Sequence, residues 1–256
     1  MTLTKLALAL MALTLAAPAL HAQTASPASA QAAVAAVDPA AIQALKDMGK
    51  DLQALKRFKV STELTGERVL ADGQKLQHSA SAVVYAERPN RMRAHMASAR
   101  NERALVYDGS TVTLYLPAQK SYATTSFSGS LDELVTRLEQ RYGIEIPLSD
   151  LFTWGTPLAP IDKIESAMNA GQDFIGDVLC DHYAFRQGQI DWQVWISVGT
   201  QKLPRKLVIT NRADEARPQS ISLIEWHLKP AFTAATFKFT PPKGSSAVEF
   251  RTLDRK

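Results

Sequence analysis

The sequence predicts an α+β protein built on one curved antiparallel sheet of about ten or eleven strands, partly covered by two or three helices. Three observations carry this expectation. From residue 58 onward, apolar and polar side chains alternate with a period of two in run after run. Glycine, proline, asparagine and aspartate punctuate those runs at intervals that suit hairpins rather than crossovers. Apolar residues at helical spacing are confined to a few short stretches.

The elements follow in chain order. Residues 1–22, MTLTKLALALMALTLAAPALHA, have one cation at Lys5, an apolar core over 6–17 and small residues before a cut after Ala22 or Ala19. This is the pattern of a secretory signal peptide. The apolar run is shorter than the about 20 residues that span a bilayer, so a soluble mature chain without a membrane span is expected. Lipid anchoring needs a cysteine at the cleavage point, and the single cysteine is Cys180. Residues 23–37, rich in alanine, serine and glutamine, read as a flexible leader, which leaves 38–256 as a single domain.

Asp38-Pro39 supplies an N-cap and a first-turn proline, and Ile42, Leu45, Met48, Leu52 and Leu55 recur at helical spacing to about Lys56. Phe58, Val60, Thr62 and Leu64 then alternate with Lys59, Ser61 and Glu63, and Ala71-Asp72-Gly73 turns the chain into a strand over about 76–86. Met92, Ala94 and Met96 alternate with Arg91, Arg93 and His95; Asp108-Gly109 and Pro117-Ala118-Gln119-Lys120 mark the next turns. Leu131, Leu134, Val135 and Leu138 define a second helix, capped by Ser130 or Ser128 and followed by Gly143. Leu148, Leu151, Phe152 and Trp154 cluster on a short helix or loop, Pro157 and Pro160 frame an irregular connection, and Ile161, Ile164 and Met168 suit one more short helix. Strands resume near Phe174. Tyr183 and Phe185 alternate with His182, Ala184 and Arg186, and Trp192, Val194 and Ile196 with Gln193, Trp195 and Ser197. Further strands are expected over 207–209, 221–226, 237–239 and 247–250.

With 46% hydrophobic and 21% charged residues the chain has ample core. One cysteine forms no internal disulfide, and Cys180 reads as a buried small apolar residue. A formal net charge of +4 over 256 residues is weak support for nucleic-acid binding, and the basic run Arg88, Arg91, Arg93, Arg100 and Arg103 has no interleaved aromatics. It reads as a solvated outer strand face, with an acidic partner or anionic head groups as the alternative. Asp181 and His182 are neighbours on a strand and point to opposite faces, so they do not converge on one atom. There is no HExxH, no Gly-x-Ser-x-Gly elbow and no phosphate loop. No metal, cofactor or catalytic set is expected; Asp191 and Gln193 read as meeting backbone or a neighbouring strand.

RPNRMRAHM followed by VYDGSTVTLYLPAQKSYAT resembles the first half of the bacterial LolA/LolB lipoprotein-carrier fold. IPLSDLF, GDVLCDHYAFRQGQIDWQVWI, LPRKLVIT and FKFTPPKG together resemble the domain of unknown function 2092 family of predicted periplasmic proteins. The resemblance covers about 38–250. It implies a LolA-like half-barrel over an apolar cavity and a periplasmic binding or carrier role for an acyl chain or lipoprotein. A sensor of envelope state that binds a peptide or regulatory partner is the alternative, and a hydrolase using Cys180, Asp181 and His182 a distant third. A curved sheet under few helices leaves an apolar pocket, whose expected lining is Met92, Met96, Val112, Leu114, Leu116, Phe152, Trp154, Trp192 and Val194.

Overall fold

The computed structural model describes residues 36–253. The signal peptide and the leader up to residue 35 lie outside them. The described chain starts at a bridge between Val37 and Ala167 and enters α1 (Pro39–Ala54). The Asp38 carboxylate caps α1, accepting from the Ala40 amide at 2.8 Å. A first meander follows: β1 (Arg57–Val69), β2 (Lys75–Glu87), β3 (Arg91–Ala97), β4 (Glu102–Tyr107), β5 (Thr111–Leu116) and β6 (Ser121–Ser126). A connection carries α2 (Leu131–Tyr142) and α3 (Asp150–Thr153). The second meander is β7 (Ser166–Ile175), β8 (Val178–Gln187), β9 (Ile190–Ser197), β10 (Pro204–Asn211) and β11 (Gln219–His227), and β12 (Ser246–Val248) closes the chain.

All twelve strands share one sheet, in the order β12-β6-β5-β4-β3-β2-β1-β11-β10-β9-β8-β7. The two meanders are joined by β1 against β11, with Val60 opposite Trp226 and Thr62 opposite Ile224. Every pairing is antiparallel except β12 on β6. The result is the open, curved α+β half-barrel expected from the sequence. The connection from β6 to β7 must run from one end of the sheet to the other, and this lays α2 and α3 over one face.

That face carries the main core. Phe58 and Val60 of β1, Val84 and Ala86 of β2, Met92 of β3, Tyr107 of β4 and Val112 of β5 are buried against α1, α2 and α3. Cross-strand partners keep the alternation in phase across the sheet: Val84 faces Ala94, Ala94 faces Leu105, and Leu105 faces Leu114. α2 is fixed at its start by Glu133, which accepts from the Ser130 amide at 2.8 Å, and at its end by Gly143 at φ +64. The Tyr107 hydroxyl donates to Gly129 O at 2.7 Å and ties β4 to the same turn.

Three expectations are corrected. Residues 161–163 form one 3-10 turn, but β7 starts at Ser166 and contains Met168, which the spacing had suited to a helix. Residues 237–239 are not a strand: the chain after β11 crosses the outer face of the first meander, with a 3-10 turn at Ala234–Phe237. There Phe232 meets Tyr85 at 5.9 Å, Phe237 is fully buried, and Phe239 sits against Tyr115 and Tyr122. The alternation of Phe237, Lys238 and Phe239 thus serves to plug a sheet face. The basic run is not one solvated outer face either. Arg103 lies opposite Met96 on the helix-covered face and donates to Glu145 O at 2.8 Å, and Arg88 stacks over Phe152.

Candidate functional site

The core does not fill the helix-covered face to its end. Beside β9 and β10, under α3 and the chain that follows it, lies a cleft of about 340 Å³. Its inner wall comes from strand alternation: Ile190 and Trp192 of β9 and Leu207 and Ile209 of β10 point to one side, with Ile209 directly opposite Trp192. Phe185 of β8 is the other cross-strand partner of Trp192, and the two rings stack at 4.2 Å with a 21° interplanar angle.

The outer wall is Trp154, whose ring is stacked 6.1 Å from that of Trp192. Its place is set by α1. Gln53 of α1 donates to Phe152 O at 3.2 Å and to Trp154 O at 2.7 Å. Gly155 follows at φ +82, a conformation that favours glycine. It touches α1 backbone to backbone: a Cβ built on Gly49 would lie 2.6 Å from Gly155 N, and one on Gly155 would lie 2.4 Å from Gly49 O. Two glycines and a glutamine therefore hold the tryptophan wall against the helix.

The polar groups of the cleft are few. Gln187 is already used, donating to Pro160 O at 2.9 Å. Trp192 is buried, and its indole Nε1 has no hydrogen-bond partner among the described residues. Asp150 is exposed at the rim yet closely surrounded by protein; loss of hydration pushes its carboxyl above the usual range, and the negative charge of Glu139 adds to this. The lining contains no lysine, arginine or histidine.

The nine residues expected to line one pocket fall in different places. Met92, Val112, Phe152 and Val194 are fully buried inside the core, Phe152 6.1 Å from the Phe58 ring. Met96 and Leu114 border a crevice of only about 20 Å³ between β3–β5 and residues 144–147, which is room for about one water. Leu116 is half-buried at the end of β5. Trp154 and Trp192 alone of the nine line the cleft. Asp150, Ile190, Leu207 and Ile209 are not among the nine, although Ile190 shares its alternation with Trp192.

A family model for predicted periplasmic proteins matches residues 41–251. The chain belongs to the DUF2092 family. No curated protein matches the sequence. Among solved structures, an uncharacterised conserved protein from Thermus thermophilus is similar at 13% identity and a TM-score of 0.47, covering 82% of this chain and 99% of that one. LprF from Mycobacterium bovis matches at 13% and 0.43, over 82% and 99%. A LolA superfamily protein from Nitrosomonas europaea matches at 9% and 0.37, over 78% and 97%. At that level nothing about ligand or activity passes from those proteins to this DUF2092 chain.

Elsewhere in this DUF2092 protein, the polar residues of 180–191 are parted by strand alternation. Cys180 and His182 lie on the outer face, Asp181 on the inner one beside Ile196. The Cys180 thiol is fully buried, and desolvation pushes its pKa up despite the opposing charge of Arg205. His182 stacks on Trp195 at 3.9 Å and meets Gln193 Oε1 at 2.9 Å. Asp191 accepts two hydrogen bonds from Arg186 of β8, at 2.7 and 3.0 Å. Both Asp191 and Gln193 thus meet a neighbouring strand. Among the described residues no group of three His, Cys, Asp or Glu is placed to hold a metal, and no helix is long and apolar enough to cross a membrane.

Proposed function

We propose that this protein binds and carries an apolar ligand, an acyl chain or the acyl part of a lipoprotein, in the cleft between Trp154 and the inner wall of β9 and β10. It works in the periplasm as a single domain from residue 38, exported by a cleaved signal peptide at 1–22 and not lipid-anchored. The observation that carries this reading is the cleft itself. A volume of about 340 Å³ is within the range of small-ligand sites, which are apolar with a few placed polar groups. Trp154 and Trp192 are its walls, with Phe152 and Val194 packed beside them, while Met92 and Val112, on β3 and β5, belong to the filled core of the first meander. Met96, Leu114 and Leu116, on β3 and β5, are a separate second region, parted from the cleft by β11, β1 and β2 and the core packed over them. A binding role is favoured over thiol chemistry by the desolvated Cys180.

The test is native mass spectrometry and lipid extraction of the protein purified from the periplasm. Co-purifying acyl species, lost in Trp154→Ala, are expected. A clean apo mass together with no uptake of added acyl probes overturns the reading.

One observation favours a second reading, an interaction protein of the envelope. β7 is at the sheet's edge and exposes Met168 and Phe174, at 54% and 69% of their surface. Such an edge can accept an extended peptide as an added strand. Met168→Lys with Phe174→Lys abolishes partner capture on that reading and leaves acyl uptake intact.

A further inference from the structure

We propose that the outer side of α2 carries a second site, separate from the cleft, for an amphiphilic phosphate: an alkyl or acyl chain ending in a phosphate monoester, held by Arg137 and Arg141. This goes beyond the apolar-ligand reading and does not depend on it.

A groove of about 810 Å³ runs along the solvent side of α2, away from buried Leu131, Leu134, Val135 and Leu138. The exposed face of a helix is ordinarily convex, but here the chain rises around it. Phe127 from the turn after β6, Leu158 from the connection after α3 and Leu253 near the end of the described chain are its apolar walls. Two of them are anchored. Phe127 packs on Tyr107 at 5.5 Å, and the Leu253 amide donates to Arg141 O at 2.8 Å. Leu158 and Leu253 are nevertheless 45% and 53% exposed, so the walls leave apolar surface for a chain to remove from water.

The charges of the groove suit an anion. Arg137 and Arg141 are one turn apart on α2 and project to the same side. Arg137 lies over the Phe127 ring at 5.5 Å and Arg141 over the Tyr142 ring at 5.6 Å. Contact with a ring face holds a guanidinium in place and leaves the N–H donors at its edge free. Neither arginine forms an ion pair among the described residues, whereas Arg57, Arg91, Arg186 and Arg212 all do. Glu133, the one carboxylate in the lining, is already engaged: it accepts from the Ser130 amide at 2.8 Å and from the Ser130 hydroxyl at 3.0 Å. Two forked donors side by side match a phosphate monoester, whose three free oxygens can bridge both, better than a carboxylate, which fills one fork. Bare phosphate would leave the two leucines exposed; a chain attached to it covers them. In size, about 810 Å³ holds on the order of twenty-five non-hydrogen atoms at about 30 Å³ each, so a medium-length alkyl phosphate fits whole.

The experiment uses the full mature protein and three probes, decyl phosphate below its micelle-forming concentration, decanol and inorganic phosphate, titrated by calorimetry at pH 7.5 and low salt. Because the cleft also takes apolar chains on the reading above, each titration is repeated in Trp154→Ala. Decyl phosphate is expected to bind wild type and Trp154→Ala alike, and at least about tenfold tighter to Trp154→Ala than decanol or inorganic phosphate does. Arg137→Gln and Arg141→Gln, both at exposed positions, are each expected to weaken decyl phosphate about tenfold or more, the ratio of one charged hydrogen bond. Neither should change uptake of a neutral chain by the cleft. The proposal is overturned if the double arginine variant keeps wild-type affinity, if Trp154→Ala abolishes decyl phosphate binding, or if decyl phosphate does not bind. It is equally overturned if phosphatidylglycerol vesicles capture the protein while monomeric decyl phosphate does not, which would make the arginines a membrane-surface patch. Each of these results leaves the test of the cleft by co-purifying acyl species unchanged, so the two readings fail separately.

Discussion

Replacing Gly49 by alanine sets helix propensity against packing. Gly49 is buried in the body of α1, where alanine is favoured over glycine by about 1 kcal/mol. On propensity alone the variant is more stable. The structure predicts the reverse. An added Cβ would lie 2.6 Å from Gly155 N, 2.7 Å from Gly155 Cα and 3.2 Å from the Trp154 carbonyl carbon, and those atoms are backbone that cannot rotate away. Relief requires the chain at 154–155 to move off α1, which stretches the two hydrogen bonds from Gln53. Overpacking of this kind costs about 1–3 kcal/mol, and weakening those bonds costs about 1 kcal/mol more. After the propensity gain, a net loss of about 1–3 kcal/mol remains. For a domain of this size that lowers Tm by about 2–4 °C per kcal/mol. Thermal and urea unfolding measure it, and intrinsic tryptophan fluorescence reports whether Trp154 has shifted. A Gly49→Ala protein as stable as wild type, or more so, refutes the backbone-to-backbone contact and with it the account of how the cleft wall is held.

Phe152→Ala and Trp154→Ala, neighbours in sequence, separate core from site: Phe152 is fully buried, so its loss is expected to cost about 3–5 kcal/mol in urea unfolding, whereas half-buried Trp154 costs much less stability and abolishes ligand retention. Cys180 is expected to resist a thiol reagent in the folded state and to react fully once unfolded, because desolvation raises its pKa. The fold favours the neutral thiol, so any stability it contributes is present below the ordinary thiol range and is lost as pH rises through the folded value. For Asp108, burial alone would raise the carboxyl, but hydrogen bonds from Ser110 and Thr111 outweigh it and hold the pKa below the usual range. That contribution is present above the unfolded value and is lost as pH falls through the folded one. Asp108→Asn should therefore show a shallower loss of urea midpoint between about pH 5 and pH 2 than wild type.

The elements most legible in the sequence are those whose cause is local. Asp38-Pro39 starts α1, Ser130 and Gly143 bracket α2, and Asp108-Gly109 turns β4 into β5 because side-chain caps and positive-φ glycines act within a few residues. β7 is hidden for the opposite reason. As an edge strand it buries Ala167 and little else, so its residues show no alternation, and Met168 continues a helical spacing from Ile161 and Ile164. The site divides along the same line. Trp154 and Trp192 stand out as large aromatics, one on an irregular connection and one on an alternating strand. Leu207 and Ile209 are recognisable only as strand residues, because their place beside Trp192 depends on β10 pairing with β9. Nothing local tells Phe152 from Trp154 either. One points into the core and the other borders the cleft, and the difference is made by where α1 meets residues 152–155.

Why an opening exists at this place follows from dimensions. Twelve strands at about 4.8 Å spacing reach about 50 Å across the sheet, whereas a helix is about 10 Å wide with its side chains. Three helices therefore cover about 30 Å, and α3 is only four residues long. Part of the deficit is met by large side chains such as Phe58, Phe152 and Trp226, whose rings meet at 5.5–6.1 Å. Over β9 and β10 the cover is instead the irregular chain after α3, interrupted by Gly155, Pro157 and Pro160, which brings Trp154 but little other bulk. The strands there still present Ile190, Trp192, Leu207 and Ile209 to that side, so the wall remains apolar while its cover is thin. The capacity of the cleft is thus decided by the connection more than by the sheet, and by how firmly Gln53, Gly49 and Gly155 fix Trp154 above Trp192.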